Sequence, residues 1–245
     1  MSLAWPVYHL GATDSTNSEA KRRVSAGAFS DCWLVAESQS AGRGRLQKSW
    51  ISPVGNLFST ALFHEPGGLI VASRLPFAAA LAVSDVALLF APEADVRVKW
   101  PNDVRIDTAK LSGILIETGG SGVETWVAVG IGINVTHAPE GAGQRATSIA
   151  ALREDTVVTT DMVFEALRKA FASRLIKARA GFERLRKDWL ERAEGLGGTV
   201  RVTVSGAAIE GIFEDMDASG ALILSLPDGS RQTIRAGDVD LIGRV

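Results

Sequence analysis

The apolar stretch RLPFAAALAVSDVALLFAP, residues 74–92, restricts the fold more than any other part of this 245-residue chain. A helix that is apolar on every side has to be buried, and Pro76 is compatible with its first turn. Its most apolar part, residues 77–91, contains Ser84 and Asp85 and is shorter than the roughly 18 to 20 residues of a membrane span. We therefore predict a core helix in a soluble protein with no membrane partner.

The charge balance and the single cysteine narrow the class of protein further. A net charge of -2 argues against a general nucleic-acid binder, which normally carries a basic excess. Cys32 is the one cysteine, so an internal disulfide framework is excluded and a reducing compartment is favoured. Because its neighbours are apolar, we expect Cys32 to be buried. No secretory signal is visible at the start of the sequence. We expect a cytoplasmic protein.

The remaining runs predict a mixture of strands and helices. Thr16 followed by Glu19 has the spacing of a capping box, and Gly27 fits the end of the helix that it would begin. A second helical region is predicted over residues 161–194, with a break at Ala180-Gly181. Apolar runs bounded by turn residues predict five strands, over residues 32–38, 56–63, 95–100, 110–119 and 125–135.

The sequence pattern changes after EGLGG, residues 194–198, from long helical runs to short apolar runs separated by turn residues. Val200, Val202 and Val204 alternate with polar residues, and DASG and PDG are turn signals between short apolar runs. Closely spaced strands over about 50 residues are typical of a small β-barrel. We predict an α+β fold with two domains: residues 1–195, a mixed β-sheet with flanking helices, and residues 196–245, a small β-barrel.

The loop AGRGRLQKSW, residues 41–50, looks like a phosphate-binding loop but fits neither standard pattern. Gln47 stands where a nucleoside-triphosphate loop has glycine, and it also replaces the third glycine of the dinucleotide pattern. Glycines nevertheless let the backbone approach a ligand, and Arg43, Arg45 and Lys48 supply the charge that an anion needs. The loop is therefore either an anion-binding loop or a mobile basic loop in solvent.

Two further polar clusters are ambiguous when taken alone. KWPND and the following KLSG crowd Lys99, Asn102, Asp103 and Lys110 around one turn, which is either a polar turn or part of a site. DSTN, residues 14–17, is either a helix cap or a cap that also binds a ligand. The sequence does not support a zinc site, because the three histidines are scattered, or a serine hydrolase, because no G-x-S-x-G nucleophile motif is present.

Taken in order, the motifs resemble those of one family. GRGR followed by Trp50, then KWPND, KLSGIL and GIGINV, are similar to the hallmarks of biotin–protein ligases, over nearly the whole chain. The resemblance implies a class II synthetase-like catalytic domain followed by an SH3-like barrel. Larger relatives carry an N-terminal DNA-binding domain. Here DSTN starts at residue 14, so we expect no DNA partner.

The resemblance implies an ATP-dependent enzyme with two half-reactions. Biotin would be activated as biotinyl-5′-AMP, with Mg²⁺ arriving on ATP and no permanent metal site. The biotinyl group would then pass to a lysine of a biotin carboxyl carrier protein. The alternatives are a lipoate–protein ligase-like adenylating transferase and a non-catalytic biotin-binding module. The enzyme could be a monomer or a homodimer.

The resemblance also implies roles for individual residues. Lys110 would stabilise charge at the biotin carboxyl and the α-phosphate, and Arg45 would hold the phosphate. Asp103 would orient the acceptor lysine or assist its deprotonation. The expected biotin-binding residues are Ser15, Thr16, Asn17, Gln39, Gly42, Arg43, Gly44, Arg45, Lys110 and Gly113. The expected ATP- and adenylate-binding residues are Arg43, Arg45, Lys48, Trp50, Lys99, Asn102, Lys110 and Asn134. We expect the loop over residues 40–50 to be mobile until an anion orders it.

Overall fold

A computed structural model describes residues 4–27, 29–140, 144–152, 157–204 and 206–242, without the side chain of Gln47. The outermost residues of both predicted domains, at the two chain ends, lie outside the described residues. Within the described residues the fold is α+β, as predicted. The strands of the first part of the chain are β1 Val7–His9, β2 Ala12–Thr13, β3 Cys32–Ala36, β4 Ser38–Gln39, β5 Leu57–His64, β6 Val96–Lys99, β7 Asp103–Ile106, β8 Ala109–Gly119 and β9 Trp126–Ile133. The helices are α1 Thr16–Ser25, α2 Gly68–Ala72, α3 Leu75–Phe90, α4 Thr160–Ala180 and α5 Glu183–Leu190.

The main sheet is mixed and has seven strands in the order β1-β3-β5-β9-β8-β7-β6. Strands β1 and β3 pair in parallel, whereas the other neighbours pair antiparallel. Strands β2 and β4 form a short parallel pair beside it. The predicted strands are confirmed to within a few residues at each end.

Helix α3 lies in the largest core of the molecule, as its composition predicts. Its side chains are buried together with the odd-numbered residues of β9, such as Val129 and Ile131, and with residues of α4 and α5. The stretch 68–90 is the one helical segment among the described residues that is long and apolar enough to cross a membrane, and 67% of its most apolar window is buried in the fold. That burial is the packing of a core helix.

A smaller apolar cluster lies between helix α1 and the opposite face of the sheet. It contains Ala20, Cys32, Leu34, Leu62 and Ala128. Cys32 is a buried free thiol, as predicted. Because residues of a strand alternate between faces, Ala128 and the even-numbered glycines of β9 face α1 while their neighbours face α3. The α1 face of the sheet is the one that carries the site.

The last part of the chain forms a second sheet of five antiparallel strands. They are β10 Thr199–Val204, β11 Ala207–Met216, β12 Leu222–Ser225, β13 Arg231–Ile234 and β14 Asp238–Leu241. Their order, β13-β12-β11-β10-β14, is consistent with an SH3-like module, and the sheet is open within the described residues. It contacts the first part of the chain directly: the Trp100 indole Nε1 donates to the Gly220 carbonyl at 2.9 Å.

Candidate active site

One cavity of about 730 Å³ collects nearly all of the predicted site residues. Its walls come from the start of α1, the loop over residues 42–50, strands β8 and β9, and strand β14 of the second sheet. The predicted residues that line it are Ser15, Thr16, Asn17, Gln39, Arg43, Gly44, Arg45, Lys48, Trp50, Lys99, Asn102, Asp103, Lys110, Gly113 and Asn134. Gly42 is buried beside the cavity, and its carbonyl accepts from the Trp50 amide at 2.9 Å.

The capping box predicted from Thr16 and Glu19 is wrong. The N-cap residue is Ser15, whose side chain makes no capping hydrogen bond, and Thr16 is the first residue of α1. The Glu19 carboxylate instead accepts from Arg22 and Arg23, at 2.9 and 3.0 Å. The physical reason is that Gln39 takes over the end of the helix, because its Oε1 accepts from the Thr16 amide at 2.9 Å.

The start of α1 is instead built as a buried polar network. Ser15, Thr16 and Asn17 are each buried. The Thr60 hydroxyl of β5 lies 2.8 Å from the Thr16 hydroxyl and 2.7 Å from Asn17 Oδ1. Gln39 extends the network, because its Nε2 donates to the Ser52 hydroxyl at 2.9 Å. We call this end of the cavity, lined by residues 15–17 and Gln39 with Thr60 behind them, the closed end.

Glu117 of β8 joins the closed end to the loop. Its Oε2 accepts from Asn17 Nδ2 at 3.0 Å and from Arg43 Nη2 at 3.1 Å, and its carboxylate also pairs with Lys21. Burial alone would raise the pKa of Glu117, but the hydrogen bonds from Lys21 and Asn17 and the charges of Arg43 and Lys21 lower the pKa below its usual value. Glu117 is therefore an ionised clamp between helix α1 and the loop.

The glycines of GIGINV are explained by close packing over strand β9. A Cβ at Gly130 would lie 2.3 Å from Asn17 Oδ1, and a Cβ at Gly132 would lie 2.6 Å from the Trp50 ring. Gly113 on the neighbouring strand would meet the same ring at 3.1 Å. The missing side chains thus leave room for Asn17 and for the indole of Trp50 on the sheet. A biotin that approached the backbone at Gly113 would have to displace that indole.

The loop over residues 42–50 folds as a tight hairpin in this structure. The backbones of Arg43 and Ser49 form an antiparallel β-bridge, and the Gly44 amide donates to the Lys48 carbonyl at 2.7 Å. At its tip Leu46 adopts a left-handed φ of 52° and exposes its side chain. The Arg45 guanidinium reaches back to Asn102 Oδ1 at 3.3 Å. The hairpin carries three cations along one side of the cavity.

Lys110 and Asp103, which both line the cavity, form an ion pair. Lys110 Nζ lies 2.7 Å from Asp103 Oδ2, and each side chain is only 16% exposed. The Lys110 ammonium also lies 5.5 Å from the centre of the Trp50 ring, within the range of a cation–π contact. The antiparallel pairing of β7 with β8 brings Asp103 opposite Gly113, three residues from Lys110.

Asn134 supports the backbone around Lys110. Its Nδ2 donates to the carbonyls of Lys110 and Thr147, at 3.3 and 3.0 Å. Its Oδ1 is buried, and it has no hydrogen-bond partner among the residues that the structure describes. The side chain therefore has a free acceptor in the wall of the cavity, which suits a donor such as an exocyclic amine.

The second sheet contributes two carboxylates that the motifs do not predict. Asp238 and Asp240 of β14 line the cavity beside Lys48 and Lys99. Thr60 and Glu117 are further functional candidates outside the quoted motifs. Thr60 could have been suspected as a polar residue inside an apolar strand, and Glu117 as a charged residue at the end of KLSGILIE. No local pattern identifies Asp238 and Asp240, because their place in the cavity depends on how the two sheets pack.

The cavity can bind an anion at one end and a neutral polar group at the other. Across the ranges described, no group of three or more His, Cys, Asp and Glu side chains is placed to hold a metal ion. The cationic hairpin and Lys110 suit phosphate or carboxylate oxygens. The closed end offers hydroxyl and carboxamide groups, which suit a ring with both donors and acceptors.

Profiles of two protein families match the chain. The Biotin/lipoate A/B protein ligase family matches residues 12–134, which include every site residue predicted from the sequence motifs. The Biotin protein ligase C terminal domain matches residues 195–242, the region of the second sheet. The chain belongs to the biotin/lipoate A/B protein ligase family.

Individual relatives are similar over almost the full length. A protein of Paracoccus denitrificans named Biotin--[acetyl-CoA-carboxylase] ligase is 40% identical over 94% of this chain and 98% of its own. A Mycobacterium tuberculosis protein of the same name is 34% identical over 93% of this chain and 85% of its own. The structure resembles that of the biotin protein ligase from Aquifex aeolicus in complex with biotin and ATP, with a TM-score of 0.80, 26% identity and coverage of 96% and 98%.

Proposed function

We propose that the chain is an ATP-dependent biotin–protein ligase. In the first half-reaction a carboxylate oxygen of biotin attacks the α-phosphorus of ATP and pyrophosphate leaves, which gives biotinyl-5′-AMP. In the second, the ε-amine of an acceptor lysine attacks the acyl carbon, AMP leaves, and the amine loses a proton. The acceptor would be a biotin carboxyl carrier protein, and the reaction would take place in the cytoplasm.

The observation that carries this proposal is the two-ended cavity. A buried hydrogen-bonding end with Thr16, Asn17 and Gln39 suits the ureido ring of biotin, which is neutral and has both donors and acceptors. A cationic end suits the carboxylate and the phosphates. Lys110 lines the same cavity, and it would lie where the new oxygen–phosphorus bond forms.

The relatives support the substrates. Two of them are named as ligases that act between biotin and acetyl-CoA carboxylase, and the Aquifex aeolicus protein was solved with biotin and ATP. Membership of a family that also contains lipoate ligases leaves lipoate as the alternative acid. The match to the biotin ligase C-terminal domain favours biotin.

The proposed roles divide catalysis between positioning and charge stabilisation. Lys110 would leave Asp103 and contact the biotin carboxyl and the α-phosphate, where a preorganised cation stabilises the charge of the transition state. Arg43 and Arg45 would hold the same anion from the hairpin. Asp103, once released, would be free to orient the incoming lysine or to assist the deprotonation that makes its amine nucleophilic. No side-chain nucleophile is required, because biotin itself attacks.

ATP would bind as its magnesium complex, with Mg²⁺ on the phosphates and Lys48 and Lys99 as their protein partners. The Oδ1 of Asn134 would accept from the adenine amine. The indole of Trp50 would pack beside the base once it has moved off Gly113 and Gly132. These assignments follow the family resemblance and suit the chemistry of the groups present.

The test is an incubation with ATP, labelled biotin and a purified biotin carboxyl carrier domain. We expect biotinyl-5′-AMP and pyrophosphate without the carrier, and labelled carrier when it is added. Parallel reactions with lipoic or octanoic acid test the alternative ligase. Labelled biotin that binds without pyrophosphate release would indicate a binding module and contradict the proposal.

A further inference from the structure

Two lysines of the first part of the chain meet two carboxylates of the second sheet across the cavity. Lys48 Nζ lies 2.7 Å from Asp238 Oδ2, and Lys99 Nζ lies 3.3 Å from Asp240 Oδ1. All four side chains line the same cavity. Lys48 and Lys99 are the lysines proposed above for the phosphates of ATP. Carboxylate oxygens and phosphate oxygens therefore compete for the same two ammonium groups.

The geometry of strand β14 presents both carboxylates together. Asp238 and Asp240 stand two residues apart, so their side chains point to the same side of the strand. Val239 points to the other side and is buried in the second sheet, where it pairs with Val202 of β10. The core of the second sheet thus fixes the register that directs two acids into the cavity.

The cations around Asp238 keep it ionised. Burial alone would raise the pKa of Asp238, but the hydrogen bond from Lys48 and the charges of Lys48, Arg45 and Lys99 lower it below its usual value. At neutral pH Asp238 therefore places a negative charge next to the cationic end of the cavity, and the Asp240 carboxylate lies beside Lys99. A polyphosphate that enters is attracted by the lysines and repelled by these carboxylates.

The ion pairs are placed where they can be exchanged easily. The side chains of Lys48 and Asp238 are 67% and 41% exposed, and Asp240 is 68% exposed. Ion pairs as open to solvent as these contribute little to stability, so an anion of higher charge can displace them. Lys99 is the least exposed member of the set, at 15%.

We propose that Asp238 and Asp240 stand in for the phosphates of ATP while no nucleotide is bound. This proposal rests on the proposed function, in which ATP occupies this cavity. The carboxylates hold Lys48 and Lys99 in position, give them up when the triphosphate arrives, and pair with them again as pyrophosphate leaves. The second sheet thereby sets the affinity for the polyphosphate and promotes its release.

The experiment measures the affinity of ATP for the full chain by calorimetry, at one fixed ionic strength. We expect Asp238→Asn and Asp240→Asn each to bind ATP about three- to tenfold more tightly than the unmodified chain, because a repelling charge is lost. AMP lacks the phosphates that reach these lysines, so its affinity should change less than twofold. Pyrophosphate release after one turnover should become slower in both variants.

Controls separate exchange from a general change in the fold. Glu210→Gln breaks a similar exposed pair with Arg201 in the second sheet, away from the cavity, and should leave ATP affinity unchanged. In a chain that already carries Lys48→Ala, adding Asp238→Asn should change ATP affinity less than it does in the unmodified chain. Thermal unfolding without ligand identifies any variant that is not folded.

Equal or weaker ATP binding by folded Asp238→Asn and Asp240→Asn would overturn the proposal, since weaker binding is expected of carboxylates that assist the metal–nucleotide complex. The proposed function is tested separately. Failure of the unmodified chain to form biotinyl-5′-AMP overturns the function, whereas the ATP affinities of the variants decide the exchange.

Discussion

At the closed end of the cavity, Thr16, Asn17 and Thr60 are buried and hydrogen-bonded to one another, whereas at the other end Lys48 meets Asp238 close to solvent. Loss of a buried hydrogen bond that leaves its partner unsatisfied costs about 1–3 kcal/mol, but an exposed ion pair contributes about 0–1 kcal/mol. The closed end therefore keeps its shape without a ligand. The cationic end is built from interactions that a ligand can replace.

The largest effect is expected at Lys110, the cavity lysine that pairs with Asp103. Lys110→Ala should slow the formation of biotinyl-5′-AMP by about 10² to 10³, because a preorganised cation is lost from the transition state. Pyrophosphate release in the presence of biotin and ATP measures this step. With saturating pre-made biotinyl-5′-AMP, carrier modification should recover substantially.

Lys177→Ala is the matched control for Lys110→Ala. Lys177 pairs with Asp188 at 2.8 Å on the far side of the sheet, and its loss should leave adenylation unchanged. A Lys110→Ala chain that makes the adenylate at the unmodified rate would show that Lys110 is not the central catalytic residue.

Arg45→Ala should act on retention of the adenylate more than on chemistry. In its proposed role Arg45 holds an anion that is present before and after the bond forms, so its loss should weaken both states alike. We expect faster dissociation of biotinyl-5′-AMP, and a carrier reaction that needs at least tenfold more added adenylate to reach the same rate. Arg201→Ala, in an exposed pair of the second sheet, serves as the control. A purely kcat effect, with unchanged adenylate dissociation, would contradict this role.

Thr60→Val probes the closed end without changing its volume much. The hydroxyl that lies 2.8 Å from Thr16 and 2.7 Å from Asn17 is lost, and both partners lose a buried contact. We expect the KM for biotin to rise about tenfold while kcat stays within twofold, since the network positions the ring and not the reacting atoms. Thr199→Val, at an exposed position of β10, should leave both parameters unchanged. An unchanged KM in Thr60→Val would show that the network is not part of the biotin site.

The smallest effect is expected at Glu117, which links the two ends. Glu117→Gln keeps a hydrogen-bond acceptor for Asn17 but loses the charge that holds Arg43 and Lys21. We expect the KM for biotin to rise severalfold, with rescue of part of the loss by Glu117→Asp. Glu165→Gln, which breaks an exposed pair with Arg168, is the control. If Glu117→Gln has the same KM for biotin as the unmodified chain, the ion pairs of Glu117 do not contribute to biotin binding.

Glu117 should also make the stability of the fold depend on pH. The pKa of Glu117 is lower in the folded chain than in the unfolded chain. Its ionised form therefore stabilises the fold at pH values above about 4.3, and this contribution is lost as the pH falls through the folded pKa. Denaturant unfolding should show Glu117→Gln less stable than the unmodified chain at pH 7, with a gap that narrows below about pH 4.

Features of the fold and the site could be predicted from the sequence where they depend on residues close together in the chain. The apolar run over residues 74–92 predicted the core helix because its burial is a property of its own composition. The valines at 200, 202 and 204 predicted a strand of the second sheet, because their alternation with polar residues is also a local property of the sequence. The order of the short motifs predicted which residues would meet in one cavity.

The capping box failed because a residue distant in sequence took over the helix start. Gln39 accepts from the Thr16 amide, so local spacing of Thr16 and Glu19 did not decide the cap. The glycines of β9 were recognised as part of a motif, but their physical reason, room for Asn17 and Trp50, required the packed structure. Asp238 could not be placed, because its contact with Lys48 joins residues 190 positions apart.

The most direct test of the contrast between the two ends is hydrogen exchange, measured with and without biotin and ATP. We expect the amides at the start of α1, residues 16–20, to exchange slowly in both conditions. Amides of the hairpin over residues 42–50 should exchange fast without ligand and become protected when biotinyl-5′-AMP forms. A hairpin that is equally protected in both conditions, or a start of α1 that becomes ordered only with ligand, would contradict this contrast.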